Sequence, residues 1–584
     1  MKRIKQYSFF DGETIDNNYI LLGNESNHIV NTKGLTLKQS LDFLFKYGKS
    51  VNYFFRIDYD LNMIFSKERL KGKTLNFFNS IEIYSNGYTL LYYRHKIFSI
   101  KKGKTLKKFF DISNFYKTSF IKTLDILDIK PTERQADILD RYKKKRAGFK
   151  LNDIINIIEY NKIECELGCV MVKRIHDLLP ENLKTWSLYG ASSLTEKFLR
   201  QKEINKINPY KFFNRAVYEN SYFGGRMEVL KIGTFKNLYK YDIRSAYPNV
   251  IKNLREIKNY EIKPYKKQRI KKDSLYKIEL NIYDNNLIGL LPVRLKSGYL
   301  IFPNYVKGYY YGVEIIEVKK YSKKYSVDLR IIEEINISYG DKIFNNKEIE
   351  TLYNKRKKLK AEGNKTEYML KILLNSIYGK FVQQVGKGKY LNFIYGGYIT
   401  ACTRAELLKA CLPNPYGIVF FATDGILSLN KLNVPISSEL GKWEEIKIKS
   451  GIIIQSGVYI LKDTKGNEIN GGRGFKGNVN DIIKEIKKEG NAKIKQNIFI
   501  GNKYFDKNKF AFKGFRCKFK EIIKVIVPEN QIKRRFLIDK FIVNKKYISY
   551  ILDSESLYQL NKIKKIDFDE NDNILTDVQI DLFN

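Results

Sequence analysis

The chain has 584 residues, room for several domains at the usual ~100–200 residues each. Lysine and arginine total 106 against 63 aspartates and glutamates, a formal net charge of +43 that suits a polyanionic partner, although an AT-biased genome would enrich Lys, Ile, Asn and Tyr in the same way. No apolar run reaches the ~20 residues of a membrane span, and the five cysteines and three histidines lack zinc spacing, which excludes a disulfide scaffold and a structural zinc site and points to a reducing compartment.

In chain order, the first element is Ser8-Phe9-Phe10-Asp11-Gly12-Glu13-Thr14, an apolar strand whose Asp11 and Glu13 share one side of an extended chain. It begins so early that no signal or transit peptide is expected. Next comes Tyr53-Phe54-Phe55-Arg56-Ile57-Asp58-Tyr59-Asp60-Leu61, which places Asp60 where a strand passes into a helix. Tyr160 and Glu164 then stand one turn apart on a helical stretch. Pro180-Glu181-Asn182 marks the approach to a linker.

The glycine pair of Tyr222-Phe223-Gly224-Gly225 permits close backbone approach to a phosphate chain, though a plain turn would read identically. A β-rich run, Asn237 to Tyr241, leads into Asp242-Ile243-Arg244-Ser245-Ala246-Tyr247-Pro248. Asn346 to Lys360 is helical in pattern and carries Lys355 and Arg356, which read as readily as a solvated helix face. After the polar turn Glu362-Gly363-Asn364, a second helix places Lys371, Asn375 and Tyr378 on one face. The apolar run Ile418 to Phe421 reads as a buried strand ending in Ala422-Thr423-Asp424-Gly425. Taken singly, Asp242 and Asp424 are the turn residues that commonly follow such runs.

Taken together, Tyr241–Pro248, Lys371–Gly379 and Phe421–Gly425 resemble motifs A, B and C of the family B DNA polymerases, in the family's order. The resemblance implies a DNA-directed DNA polymerase that adds deoxynucleotides to a 3′-hydroxyl by two-metal catalysis. Asp242, Asp424 and the Ile243 carbonyl would hold two Mg²⁺ ions, with Mn²⁺ as a substitute. Lys371, Lys355 and Arg356 would meet the triphosphate, with Asn375, Tyr378 and Ser245 around the nucleotide. Tyr247 would lie under the sugar and exclude a 2′-hydroxyl. Tyr222, Gly224, Gly225, Ser376, Gly379 and Thr423 would contact primer-template DNA. Motif C departs from the family's Asp-Thr-Asp-Ser by Ala422, and Gly457-Val458-Tyr459 lacks the lysine of the usual KxY element. Tyr459 and Arg473 are therefore the candidates for the primer terminus.

The N-terminal groups resemble the Exo I, II and III motifs of the 3′–5′ proofreading nuclease fused to these polymerases. Asp11, Glu13, Asp60 and Glu164 would bind a further two metal ions, and Tyr160 would orient the attacking water. Arg56 replaces the usual Asn of Exo II, and Glu164 the usual Asp of Exo III.

The fold class implied is a multidomain α/β and α+β chain: an RNase H-like exonuclease domain followed by a right-hand polymerase of palm, fingers and thumb. The expected layout is exonuclease 1–185, linker 186–215, palm 216–259, an insertion 260–342, fingers 343–385, palm 386–445, and thumb with C-terminal region 446–584. The layout resembles the compact, protein-primed branch of phages, viruses and linear plasmids, which implies primer-template DNA, dNTPs and a terminal-protein primer as partners. The host cytoplasm, without membrane attachment, is the expected location. Replication of a viral or plasmid genome is the expected task. A nuclease or repair enzyme with a vestigial polymerase site, and a non-catalytic nucleic-acid-binding protein, are the alternatives.

Overall fold

The structure, a computed structural model, describes residues 7–526 apart from 17, 66–71, 76–79, 94–95, 146–148, 202–214, 285, 295–299, 345, 365–366, 384–387, 473–478, 490–491 and 501–517, together with 534–536 and 549–551. Arg473, Lys533 and the acidic stretch from Asp567 lie outside the described residues, as does most of the expected thumb beyond Ile500. The chain forms two compact units: Met1–Asn205 with Thr351–Tyr390 and Ile498–Lys520, and Lys206–Glu350 with Leu391–Asn497 and Glu521–Asn584.

The first unit is built on β1 (Tyr7–Ile15), β2 (Asn18–Asn24), β3 (His28–Val30), α1 (Leu37–Tyr47), β4 (Val51–Phe54) and α2 (Ile57–Ile64). It continues through β5 (Gly72–Leu75), β6 (Ser80–Ser85), β7 (Tyr88–Tyr93), β8 (Ile97–Lys102) and β9 (Thr105–Asp111). Helices α3 (Phe120–Ile126), α4 (Glu133–Lys145), α5 (Ile154–Leu178) and α6 (Ala191–Gln201) follow. The nine strands form one sheet in the order β3-β2-β1-β4-β9-β8-β7-β6-β5, with β1, β4 and β9 parallel. Thr36 starts α1 with a capping box to Gln39. One face of the sheet buries Phe10, Phe54, Leu61 and Phe109, each worth about 1.5–3 kcal/mol of transfer free energy. Helix α5 lies against β1, and Gly168 makes the approach possible, because a side chain there would collide with the ring of Phe9.

The second unit opens with α7 (Arg215–Asn220), β10 (Arg226–Val229), β11 (Gly233–Ile243) and α8 (Ala246–Ile251). An inserted sheet of β12 (Arg255–Pro264), β13 (Leu275–Ile282), β16 (Tyr305–Tyr311) and β17 (Val327–Lys342) is ordered β12-β17-β13-β16. The hairpin β14 (Val293–Arg294) and β15 (Leu300–Ile301) and helix α9 (Gly312–Tyr321) lie within the same stretch. Helix α10 (Asn346–Ala361) passes from the second unit into the first and is followed there by α11 (Glu367–Phe381), with Gly363 between them at φ +66°. Met369, Leu370 and Leu373 of α11 face Ala191 and Leu194 of α6, so a helix stands inside the stretch expected as a linker.

Helix α12 (Phe393–Cys411) runs unbroken through Ile394–Thr400 and Thr403 and is capped by Asn392. The second unit's main sheet adds β18 (Ile418–Thr423), β19 (Gly425–Ser428), β20 (Trp443–Gln455), β21 (Val458–Asp463) and β22 (Glu468–Gly472). Its order is β10-β18-β19-β11-β20-β21-β22, wholly antiparallel. This sheet continues to Gly472, so the expected palm boundary at 445 falls inside β20. Among the described residues, no helix is long and apolar enough to cross a membrane.

Candidate active sites

In the second unit, two carboxylates distant in sequence come to one end of the sheet. Asp242 is the penultimate residue of β11 and pairs with Gly425 on one side and Glu444 on the other. Asp424 sits in the tight turn between β18 and β19, where Ala422 pairs with Gly425 and Thr423 takes φ +61°. The turn is tied to β11 because the Ile243 N–H donates to the Asp424 carbonyl at 2.9 Å. A side chain on Gly425 would collide with Oδ1 of Asp242, so glycine is what leaves room for that carboxylate. Lys240 donates to Asp242 Oδ2. Burial lowers the lysine's pKa, against the opposing pull of Glu444 and Asp424.

Ser245 takes φ +49° at the start of α8 and turns the chain so that Tyr247 follows on the helix. Burial, and next the charge of Asp424, push the Tyr247 phenol well above its ordinary pKa. Gly225 lies beside both Tyr247 and Thr423: a Cβ there would stand 2.8 Å from the Tyr247 hydroxyl and 2.8 Å from Thr423 Cγ2. Tyr222 stacks on Phe393 with ring centroids 5.2 Å apart, beneath the Arg294 guanidinium. Tyr459 stacks on Phe420 at 5.1 Å.

Residues that sequence reasoning missed hold this group in place. Arg404 of α12, 2% exposed, pairs through two nitrogens with Glu314 at 2.8 and 3.1 Å. It also donates to the carbonyls of Phe223 (2.9 Å) and Gly224 (2.6 Å), and Thr400 donates to the Phe223 carbonyl. Arg226, 1% exposed, bonds Glu228 and lies 3.9 Å from the ring centroid of Phe421 and 4.2 Å from that of Phe302. The register Arg226↔Thr423 sets it opposite the turn that carries Asp424. The only sequence signal was an arginine in an apolar helix or beside a glycine pair.

The first unit carries α11, most of α10 and a second acidic site. On α11, Lys371, Asn375 and Gly379 are exposed, Ser376 and Tyr378 half-buried, and Leu373, Leu374 and Ile377 buried. The Lys371 ammonium stands 5.6 Å from the ring centroid of Tyr368. Lys355 is exposed on α10, and Arg356 pairs with Glu367 at 2.7 Å, joining α10 to α11.

Asp11, Glu13 and Glu164 each offer one ligand atom within 4.8 Å of the others, and all three are buried. Like charges so close and so buried are costly unless a proton or cation is shared, and an all-oxygen set suits a hard divalent ion. Asn161, not anticipated, points its amide at Asp11 Oδ2 (3.4 Å). Asp60, 1% exposed, accepts from the Tyr19 hydroxyl at 3.0 Å. Tyr160 is fully buried with its ring against Tyr142 and Phe149. The Arg56 backbone N–H donates to Asp111, and its residue takes φ +64° at the start of α2.

Residues 59–393, more than half of the chain, match the family described as DNA polymerase type B, organellar and viral. The DNA polymerase of Acidianus bottle-shaped virus is 26% identical over 526 residues, covering 82% of this chain and 76% of the viral protein. The phi29 DNA polymerase superposes with a TM-score of 0.59 at 14% identity, over 84% of this chain and 97% of its own. Its complex with primer-template DNA and incoming nucleotides gives 0.56 at 15% identity, over 84% and 96%. The chain belongs to the organellar and viral type B DNA polymerases. It is a DNA-directed DNA polymerase of the compact viral and phage type, with the exonuclease-plus-right-hand fold of that class.

Proposed function

We propose that the protein extends a primer on a DNA template through Asp242 and Asp424, and removes 3′-terminal nucleotides through Asp11, Glu13, Asp60 and Glu164, in replicating a viral or plasmid genome. The carrying observation is the turn that fastens Asp424 to the end of β11 while Gly425 leaves space for the Asp242 carboxylate. Two acids carried to the same end of the sheet, one on β11 and one on the turn that β11 holds, suit a pair of Mg²⁺ ions, or Mn²⁺ in their place. Such ions supply activation of the attacking hydroxyl and stabilisation of the leaving oxygen.

In this reading Asp242, Asp424 and the Ile243 carbonyl hold the ions, two in number. We assign triphosphate and nucleotide contacts to Lys371, Asn375, Tyr378, Lys355 and Arg356 of α10 and α11, and a nucleotide contact to Ser245 of the second unit. Tyr247, fixed against Gly225, closes the space a 2′-hydroxyl would need. Tyr222, Gly224, Gly225, Ser376, Gly379, Thr423, Tyr459 and Arg473 contact the DNA. In the first unit, the three-acid group with Asp60 holds the second pair of ions, and Tyr160 orients water. The phi29 polymerase captured with primer-template DNA and incoming nucleotides supports the same substrates here. A terminal-protein primer is the partner implied by the compact branch. We assign the exonuclease to 1–185, palm to 216–259 and from 386 to the end of its sheet at Gly472, insertion to 260–342, fingers to 343–385 and thumb to the residues that follow.

The test is extension of a labelled DNA primer on a template with Mg²⁺, with and without dNTPs, using wild type, Asp424→Ala and Asp11→Ala. Extension lost only in Asp424→Ala, and primer shortening lost only in Asp11→Ala, is the expected pattern. Extension that survives Asp424→Ala would remove the assignment of the metal carboxylates.

A further inference from the structure

We propose that Tyr19 is a positioning residue of the N-terminal nuclease site, its hydroxyl fixing the Asp60 carboxylate beside the strand that carries Asp11 and Glu13. The inference rests on the proofreading reading above and adds to it a residue outside the three motifs.

Three observations converge. The Tyr19 hydroxyl donates to Asp60 Oδ1 at 3.0 Å, and both residues are buried, at 3% and 1% exposure. The same hydroxyl occupies the place of a side chain at position 12: a Cβ on Gly12, between Asp11 and Glu13, would collide with it. Tyr19 lies on β2 opposite Thr14, where the register of β1 shifts after Glu13, and Thr14 is itself hydrogen-bonded to Tyr59 at 2.9 Å. The short helix α2 is thus tied to the β1–β2 pair by two hydroxyl contacts, Thr14–Tyr59 from β1 and Tyr19–Asp60 from β2, the second on the acid itself.

The physical consequence is control of a single rotation. A carboxylate at the start of an eight-residue helix can turn about its own axis, and a bond to one oxygen sets where the other points. Groups that orient a metal-binding carboxylate cost about 10–100-fold in affinity or activity when removed. Gly12 follows from the same arrangement, because only glycine leaves the hydroxyl its seat.

The experiment uses the full chain and four proteins: wild type, Tyr19→Phe, Gly12→Ala and the double variant. Shortening of labelled single-stranded DNA is measured under single-turnover conditions across a Mg²⁺ series, with primer extension and thermal midpoint measured alongside. Tyr19→Phe is expected to slow shortening about tenfold and raise the Mg²⁺ needed for half-maximal rate, while extension stays at the wild-type rate. Gly12→Ala is expected to do the same. The double variant should be no slower than Gly12→Ala alone, because a Cβ at 12 collides with the ring of residue 19 with or without its hydroxyl, and both changes act through the one Tyr19–Asp60 bond. A wild-type Mg²⁺ curve for Tyr19→Phe, or full additivity in the double variant, would overturn the inference. Absence of shortening by the wild type, with extension intact, would instead overturn the proofreading reading and this inference with it.

Discussion

The hydroxyl of Tyr247 and the α-carbon of Gly225 stand so close that a methyl group at 225 would lie 2.8 Å from the hydroxyl oxygen. The glycine pair of one motif therefore sets the height of the tyrosine of another. Gly225→Ala is expected to displace Tyr247 and Thr423 together, lowering kcat/KM for dNTPs and narrowing discrimination against ribonucleotides. Paired dNTP and rNTP single-turnover measurements check this; an unchanged ratio would separate Gly225 from sugar selection.

Gly425 stands in a similar relation to Asp242, since any side chain there meets the carboxylate. A displacement near 1 Å in a reacting centre costs on the order of 100-fold. Gly425→Ala is accordingly expected to lose about that factor in extension rate while primer shortening continues. Equal loss of both activities would indicate misfolding rather than displacement, and a thermal melt distinguishes the two.

Arg404 and Glu314 form a buried pair, 2% and 1% exposed, and the arginine also holds the carbonyls of Phe223 and Gly224. Removing one member of such a pair leaves an uncompensated charge, at about 3–5 kcal/mol. Arg404→Met should therefore lower the denaturant midpoint sharply, and Arg404→Met with Glu314→Leu should recover part of the loss. The double variant is still expected to bind primer-template DNA poorly, because the loop carbonyls lose their donor.

Acid should loosen the packing of α6 on α11. Glu196 accepts from Lys389 at 2.6 Å and Lys380 at 3.2 Å. Burial alone would raise its pKa, but the two lysines outweigh burial and hold the carboxyl below its ordinary value. A carboxylate depressed in this way contributes stability that is complete above the ordinary range and is lost as pH falls through the lowered value. Burial also lowers the pKa of Lys380, which stays charged throughout the acid range. Hydrogen exchange on α11 should accelerate below about pH 4, and Glu196→Gln should flatten that dependence.

Much of this was legible in the sequence because carboxylates set in or just after β-forming runs leave a local signature. Asp11 and Asp424 follow apolar runs, Asp242 follows a β-rich one, and the helical face of Lys371 and Asn375 follows from spacing alone. Tyr19, Arg404 and Gly425 escaped because their roles are set by residues far away in the chain. Arg404 reads as one more cation among 106 until α12 brings it to the carbonyls of Phe223 and Gly224. The antiparallel sheet beyond 445 was missed because β20 crosses the boundary with no break in its β pattern.

Strand β11 lies between β19 and β20, both encoded much later in the chain. During synthesis, the strand that bears Asp242 lacks one neighbour until β19, ending at Ser428, has been made, and the other until β20, ending at Gln455, has followed. The acidic group of the first unit needs only the chain through α5, which ends at Leu178. On a growing polypeptide the carboxylates proposed to remove nucleotides can assemble well before those proposed to add them.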